Sequence, residues 1–338
     1  MSDTLAFKLG SEIWLAKNST REPIEAQRVE FYPAGEYGRM LEVTYLRVTP
    51  QVKWRQAVIL GRPEWMWGAE MGVNAAGVTI GTEAVFTRMQ EKREKGLLGP
   101  DLVRLALEQG TTAENAARII IHYIEDVGQG GPAGCRGDGL RYDNSFLIAD
   151  HQQIIKLETA GRFWALKYIE VADSITNQLT IQSEADSQSF PDKVSRFGEI
   201  GFADSFNRWL IPRYVHAQSR YDRSVEFMRD LMVKDAPDIR LELQTFLSSH
   251  CESTPTNYAD LCWHSGGFFK RFDTVNTMMV RLPARGTPQV WMTGAPHPCR
   301  QLFHEVKWGS DHFFADKPDY WERQRDHEHP HAATHRHA

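Results

Sequence analysis

The run WGAEMGVNAAGVTIGTEAVF, residues 67–86, joins a tight turn to an apolar strand and points to a β-rich fold. Gly72-Val73-Asn74 and Gly77 supply turn chemistry, since Asn and Gly tolerate the backbone that a tight reversal requires. Residues 76–86 then read as a strand. Glu83 falls inside its apolar run, just before Ala84-Val85-Phe86. A carboxylate there is either a solvated strand residue or, better suited to such neighbours, a paired or functional group.

Outward from this strand the chain is rich in the same signal. Residues 4–9 (TLAFKL) and 13–17 (IWLAK) alternate apolar and polar side chains across Gly10-Ser11-Glu12, which predicts a β-hairpin at the start. Further strands are expected at 41–48, 56–60, 144–149, 153–158, 162–169, 276–282 and 288–293. Between 100 and 126 the spacing turns helical. Pro100-Asp101 opens one helix that Gly110 ends, and Thr111 with Glu114 forms a capping box for the next. Residues 221–234 and 238–249 also have helical spacing. Strands, then helices, then strands, without regular βαβ alternation, argue for an α+β protein with helices over largely antiparallel sheets.

Composition excludes several classes. Across 338 residues, 41% hydrophobic content beside 25% charge is that of a globular protein with a large core, to which ten Trp and seventeen Phe contribute. A net charge of −5 gives no reason to expect nucleic acid or an anionic membrane as partner. No apolar run reaches membrane-spanning length. Cys135, Cys251, Cys262 and Cys299 contain no CxxC pair, so a reducing, cytoplasmic setting is the expectation. Three or four ligands at metal spacing do not emerge from the body of the chain, and neither a catalytic metal nor another cofactor is expected. His264, after Trp263, reads as a hydrogen-bonded structural His rather than a base. Residues 128–139 (GQGGPAGCRGDG) lack the strand–GxxxxGK[ST]–helix context of a phosphate cradle and read as a flexible loop. One domain over 1–317 is expected, followed at 318–338 by a helix and a frayed tail. That tail carries five of the thirteen histidines and could bind metal weakly.

An N-terminal Ser, once Met1 is removed, can serve as its own nucleophile and base, because a free α-amine has a pKa of about 7.7–8.0. Ser2 is small enough to permit that removal, yet Ser is also a common second residue in proteins without such chemistry. The wider pattern adds to it. Ser2-Asp3-Thr4, Lys17-Asn18-Ser19-Thr20-Arg21, Gly81-Thr82-Glu83-Ala84, residues 142–146 (YDNSF) and residues 157–162 (LETAGR) together resemble the secernin and dipeptidase A family of N-terminal-nucleophile (Ntn) amidohydrolases. Residues 262–280 and 291–299 resemble it too, so the likeness spans residue 2 to about 325. Its most specific parts are residues 65–86 and 142–162. The family has Cys, Asp and Asn where this chain has Ser2, Thr20 and Thr82.

The resemblance implies a four-layer αββα sandwich and hydrolysis of a small peptide or acylated amine. It implies Ser2 as nucleophile, Asn177 as oxyanion donor, and Lys17 and Arg220 as orienting cations. Ser219-Arg220-Tyr221 is similar to the Ser-Arg-Phe of bile salt hydrolases. Thr20, Thr82, Glu83 and Asn144 are the expected substrate-side residues, with Glu83 a candidate for a substrate ammonium. Each has a plainer reading: Lys17 and Arg220 as surface charges, Asn177 as a turn residue. A catalytically inactive binding or regulatory relative is the alternative. Self-association to a homo-oligomer is compatible with either.

Overall fold

The computed structural model describes residues 2–137, 139–190, 193–195, 198–251, 258–266, 271–309 and 313–328. Met1, part of the 262–280 stretch and most of the His-rich tail lie outside these. The hairpin forms as β1 (Asp3–Leu9) and β2 (Glu12–Arg21), turning at Gly10, whose φ is +59°. There follow β3 (Gln27–Tyr32), β4 (Val58–Pro63), β5 (Met71–Asn74) and β6 (Thr79–Val85), then helices α1 (Gly99–Gln109) and α2 (Ala113–Asp126). Next come β7 (Asp143–Ala149), β8 (Ile154–Ala160), β9 (Phe163–Ile169), β10 (Ala172–Ile175) and β11 (Ser187–Gln188). The helices α3 (Phe202–Phe206), α4 (Leu210–Tyr214), α5 (Ala217–Val233) and α6 (Ile239–Leu247) lead to β12 (Asp273–Leu282), β13 (Gln289–Met292) and β14 (His304–Glu305). Helix α7 (Tyr320–Glu328) closes the described chain.

Among the described residues two large antiparallel sheets result, beside three two-stranded ones. One has six strands in the order β10-β1-β2-β12-β13-β14, the other eight in the order β11-β9-β8-β7-β6-β5-β4-β3. Period-two alternation assigns their faces. In β1 and β2, Ala6, Ile13 and Leu15 point at the second sheet and meet Ile59, Met71, Val73 and Leu147. Their neighbours Leu5, Phe7, Trp14 and Ala16 point outward and are covered by Met228 and Leu231 of α5 and Leu243 and Leu247 of α6. The far face of the second sheet, with Ile80, Phe146, Ile148 and Leu157, packs on Leu102, Leu105, Ile120 and Ile124 of α1 and α2. The order is therefore helix, sheet, sheet, helix, the expected αββα sandwich. Each such apolar side chain removed from water stabilises by about 1.5–3 kcal/mol, against about 0–1 kcal/mol for an exposed ion pair. The three apolar layers hold the fold.

Local departures have local causes. Residues 41–48 are not one strand: Leu41–Glu42 folds back on Arg47–Val48, and Thr44 Oγ1 donates to Asp101 Oδ1 at 2.6 Å, tying the bend to the start of α1. The second helix is capped one residue later than Thr111. Thr112 Oγ1 accepts from the Asn115 N–H at 3.1 Å, and Asn115 Oδ1 accepts from the Thr111 N–H at 3.1 Å, so Asn115 does what Glu114 was expected to do. The turn at residues 74–78 is fixed from both ends. Gly77 has φ +90°, Asn74 Oδ1 accepts from Val78 N–H, and Asn74 Nδ2 donates to Leu107 O and Gly110 O at the end of α1. The glycine-dense segment is anchored rather than loose. Gln129 Nε2 donates to Thr159 Oγ1 and Gly161 O, each at 2.8 Å, and Ala133 O accepts from Arg21 Nη1 at 2.6 Å.

Candidate active site

Ser2 stands immediately before β1, at the rim where the two sheets face each other. Pairing Asp3 with Asn18 folds the end of β2 back beside it. A bulge in β12 between Thr274 and Asn276 distorts the pairing opposite Ser19 and Thr20. Thr20 and Arg21, adjacent at the end of β2, both reach one cavity. The cavity has a volume of about 80 Å³. Ser2, Thr20, Thr82 and Asn144 line it, together with Arg21, Glu70, Phe86 and Tyr142. Ser2 Oγ accepts a hydrogen bond from the Thr20 N–H at 2.9 Å. That contact fixes the hydroxyl oxygen and leaves its proton for a base.

The other four expected residues form a layer behind this wall. Arg220 of α5 is fully buried; its Nη1 donates to Ser2 O at 3.1 Å and pairs with Asp3, and its Nη2 donates to Asn177 Oδ1 at 2.7 Å. Asn177 Nδ2 donates in turn to Ala84 O at 2.9 Å. One guanidinium thus ties Ser2, Asp3 and Asn177 into a single unit. Lys17 and Glu83 are buried partners at 2.7 Å, and Thr4 Oγ1 also donates to Glu83 Oε1 at 2.6 Å. Glu83 does not line the cavity, because β6 turns Thr82 and Ala84 toward it and sends Glu83 to the hairpin. Its expected contact with a substrate ammonium is therefore not what this geometry offers.

Two acids, Glu70 and Glu25, lie on the cavity wall. Glu70 is held by two partners. Its Oε1 takes Arg21 Nε at 2.8 Å, and its Oε2 accepts from Ser19 Oγ. Burial works to raise its pKa, but the Arg21 and Lys17 cations overcome that and hold it below the ordinary value. Arg21 also donates to Glu25 Oε2 and, at 3.2 Å, to Tyr142 OH. Burial raises the Glu25 carboxyl and pushes the Tyr142 hydroxyl up to about 12. Asn144 is pinned by Gln129 Oε1, which accepts from its Nδ2 at 2.8 Å. A Cβ at Gly99 would lie 1.8 Å from Asn144 Oδ1, so the start of α1 must be glycine for the two to approach. Arg21, Glu70 and Tyr142 sit inside the motifs read above, but no spacing rule joins them; Gln129 carried no signal.

Glu83 carries a pH dependence. Its pKa is raised from 4.5 to about 7, burial being the first cause, with Lys17 opposing and Asp3 adding to it. The folded protein therefore keeps a proton that the unfolded chain has already released. The associated stability is complete below about pH 4.5 and is lost as pH rises through about 7. Glu83→Gln should flatten the fall in melting temperature across that window. A variant with the wild-type slope would assign the dependence to other groups.

A second cluster corrects the expectation that metal ligands do not assemble. His250, Cys262, His264 and Cys299 each bring one ligand atom within 4.8 Å of the others. His264 Nε2 lies 3.4 Å from Cys262 Sγ and 3.3 Å from Cys299 Sγ. The Cys299 thiol lies well below its ordinary pKa, first through its contact with Cys262, while burial raises Cys262. His264 is thus hydrogen-bonded, as expected, and its partners are two thiols.

The chain as a whole superposes on conjugated bile acid hydrolase from Clostridium perfringens. A mutant structure of that protein matches at TM-score 0.53 and 12% identity, over 91% of this chain and 97% of the other. A second variant matches at TM-score 0.53 and 12% identity, over 92% and 98%. The fold is that of the N-terminal-nucleophile hydrolases. Penicillin V acylase from Agrobacterium tumefaciens is similar at TM-score 0.49 and 8% identity, over 91% of this chain and 86% of that one. The sequence matches no family profile. At these identities the likeness carries the Ntn fold, and the chemistry rests on the residues. No helix among the described residues is long and apolar enough to cross a membrane.

Proposed function

We propose that this chain is an amide-bond hydrolase of the dipeptidase type, acting on small peptides or acylated amines through Ser2. The observation that carries the reading is Ser2 on the wall of a buried cavity, its Oγ held at 2.9 Å by the Thr20 N–H, in a fold built around such a residue. Once Met1 is gone, the freed α-amine takes the hydroxyl proton, directly or through one water. Oγ attacks the amide carbon and the tetrahedral intermediate collapses to an acyl-Ser2 ester as the amine leaves with the proton. Water, activated by the same amine, then releases the acid.

The scheme takes Asn177 as its oxyanion donor, which requires its amide to reach the acyl oxygen from behind the cavity wall, beside Ala84. Its Nδ2 carries two hydrogens, and Ala84 O accepts one of them. Arg220 positions Asn177 and the Ser2 carbonyl, and the Lys17–Glu83 pair fixes the hairpin beside them. Thr20 replaces a carboxylate of the resembled family, which removes a negative charge near the amine and favours its free-base form at neutral pH. A cavity of about 80 Å³ fits a compact group. Its acids, Glu70 and Glu25, suit a substrate ammonium better than Glu83 does.

The mechanism requires a free amine on residue 2. Active protein should therefore show Ser2 as its first residue by intact mass and N-terminal sequencing, with no retained Met1. A preparation that hydrolyses dipeptides while starting at Met1 would exclude this mechanism. Processed protein inert toward a broad panel of dipeptides and acylated amines would favour the inactive binding relative.

A further inference from the structure

We propose that His250, Cys262, His264 and Cys299 bind one zinc ion, forming a structural site that staples the loop carrying Trp263 to the back of the Ser2 site. Two thiolates and two imidazoles are a donor set zinc takes tetrahedrally, and four protein ligands close its coordination, as in structural rather than catalytic centres. Zinc bonds of about 2.3 Å to sulfur and about 2.0–2.1 Å to nitrogen put ligand atoms roughly 3.3–3.8 Å apart. The separations of 3.3 and 3.4 Å from His264 Nε2 to the two sulfurs fit that spacing. The widest pair, within 4.8 Å, need close by only about 1 Å. Among the described residues His250 Nε2 is buried with no hydrogen-bond partner, a state that costs free energy unless the atom has another use.

The ligands come from three places: His250 just after α6, Cys262 and His264 in the following loop, and Cys299 in the turn at Pro298–Arg300. One ion would therefore join segments that share little regular structure. Around them lies a supporting layer. The His297 ring stacks on His264 with centroids 4.0 Å apart, and His297 Nε2 lies 3.2 Å from Asp273 Oδ1. Zinc takes both cysteines as thiolates, any thiol proton still present passing to solvent, with no change of oxidation state.

Trp263, between two of the ligands, gives the staple its consequence. Its backbone N–H donates to Thr274 Oγ1 at 2.8 Å, and its ring lies 5.4 Å from the Arg220 guanidinium. Asn18 Nδ2 donates to both Leu247 O and Leu261 O at 2.9 Å, fastening β2 to the same loop. The zinc holds in place the surface against which Arg220 is seated.

The test uses the full chain. Protein purified without chelator should contain about one zinc per chain by elemental mass spectrometry. After chelation, titration with Co2+ should give a thiolate-to-cobalt charge-transfer band. The His-rich tail cannot produce that band, since residues 326–338 contain no cysteine. Cys262→Ser with Cys299→Ser should abolish the band and lower zinc content at least about tenfold, whereas Cys299→His should retain zinc and weaken the band. Wild-type protein that neither contains zinc nor gives the band overturns the proposal. So does a Cys262–Cys299 disulfide in its place, or a band that survives the double substitution. None of these outcomes bears on whether Ser2 is the nucleophile.

Discussion

Ser2→Ala should lower kcat for amide hydrolysis by about 10⁴-fold or more, while Ser2→Cys should keep or raise it. Alanine deletes the attacking oxygen and leaves the α-amine, the cavity and Arg220 in place. It removes one hydrogen bond, from the Thr20 N–H to Ser2 Oγ, so its stability cost should be only about 1 kcal/mol. Loss of turnover in a variant with a near-normal melting temperature is then a chemical effect. Cysteine has nearly the same volume and a more acidic proton, so the amine has less work to do. Both substitutes are small enough for Met1 removal, which keeps the N-terminus comparable across the three proteins. Turnover surviving in Ser2→Ala would place the nucleophile elsewhere and end the Ser2 reading.

The parts of this fold that were legible in the sequence are those set by local rules. The β1–β2 hairpin follows from alternation around Gly10, and the same alternation decides which side chains of β1 and β2 face α5 and which face the second sheet. The start of the helix after Gly110 was legible to within one residue, because Thr111 and Thr112 are both competent caps and only the placement of Asn115 selects between them. Long-range pairing was not legible. Lys17 and Glu83 are 66 positions apart, and an apolar run says that Glu83 needs a partner without saying which. Arg21 and Glu70 are similar: each lay in a stretch already marked, yet they are 49 positions apart and only the folded chain brings them together at the cavity. The His and Cys cluster escaped because its ligands are spaced irregularly, with His264 and Cys299 35 positions apart, and no compact motif announces them.

Removing Arg220 should have the largest effect on stability. Arg220 and Asp3 are both buried, at 0% and 1% side-chain exposure, so Arg220→Ala leaves a carboxylate out of water without its counter-charge. Such a loss costs about 3–5 kcal/mol, enough to put a marginal domain near its unfolding threshold. Activity lost in that variant would therefore be uninformative by itself. The informative protein carries Arg220→Met with Asp3→Asn. It keeps side-chain volume and removes both charges together, which should restore most of the melting temperature. It does not restore the hydrogen bonds from the guanidinium to Ser2 O and Asn177 Oδ1. If those bonds hold the nucleophile and the oxyanion donor in register, kcat of the folded double variant should stay depressed by about 10²-fold, the scale expected for a misplacement of about 1 Å, with a smaller change in KM. A double variant that recovers both stability and kcat would reduce Arg220 to a counter-ion for Asp3. It would also remove the link by which Trp263 could influence catalysis through the Arg220 guanidinium.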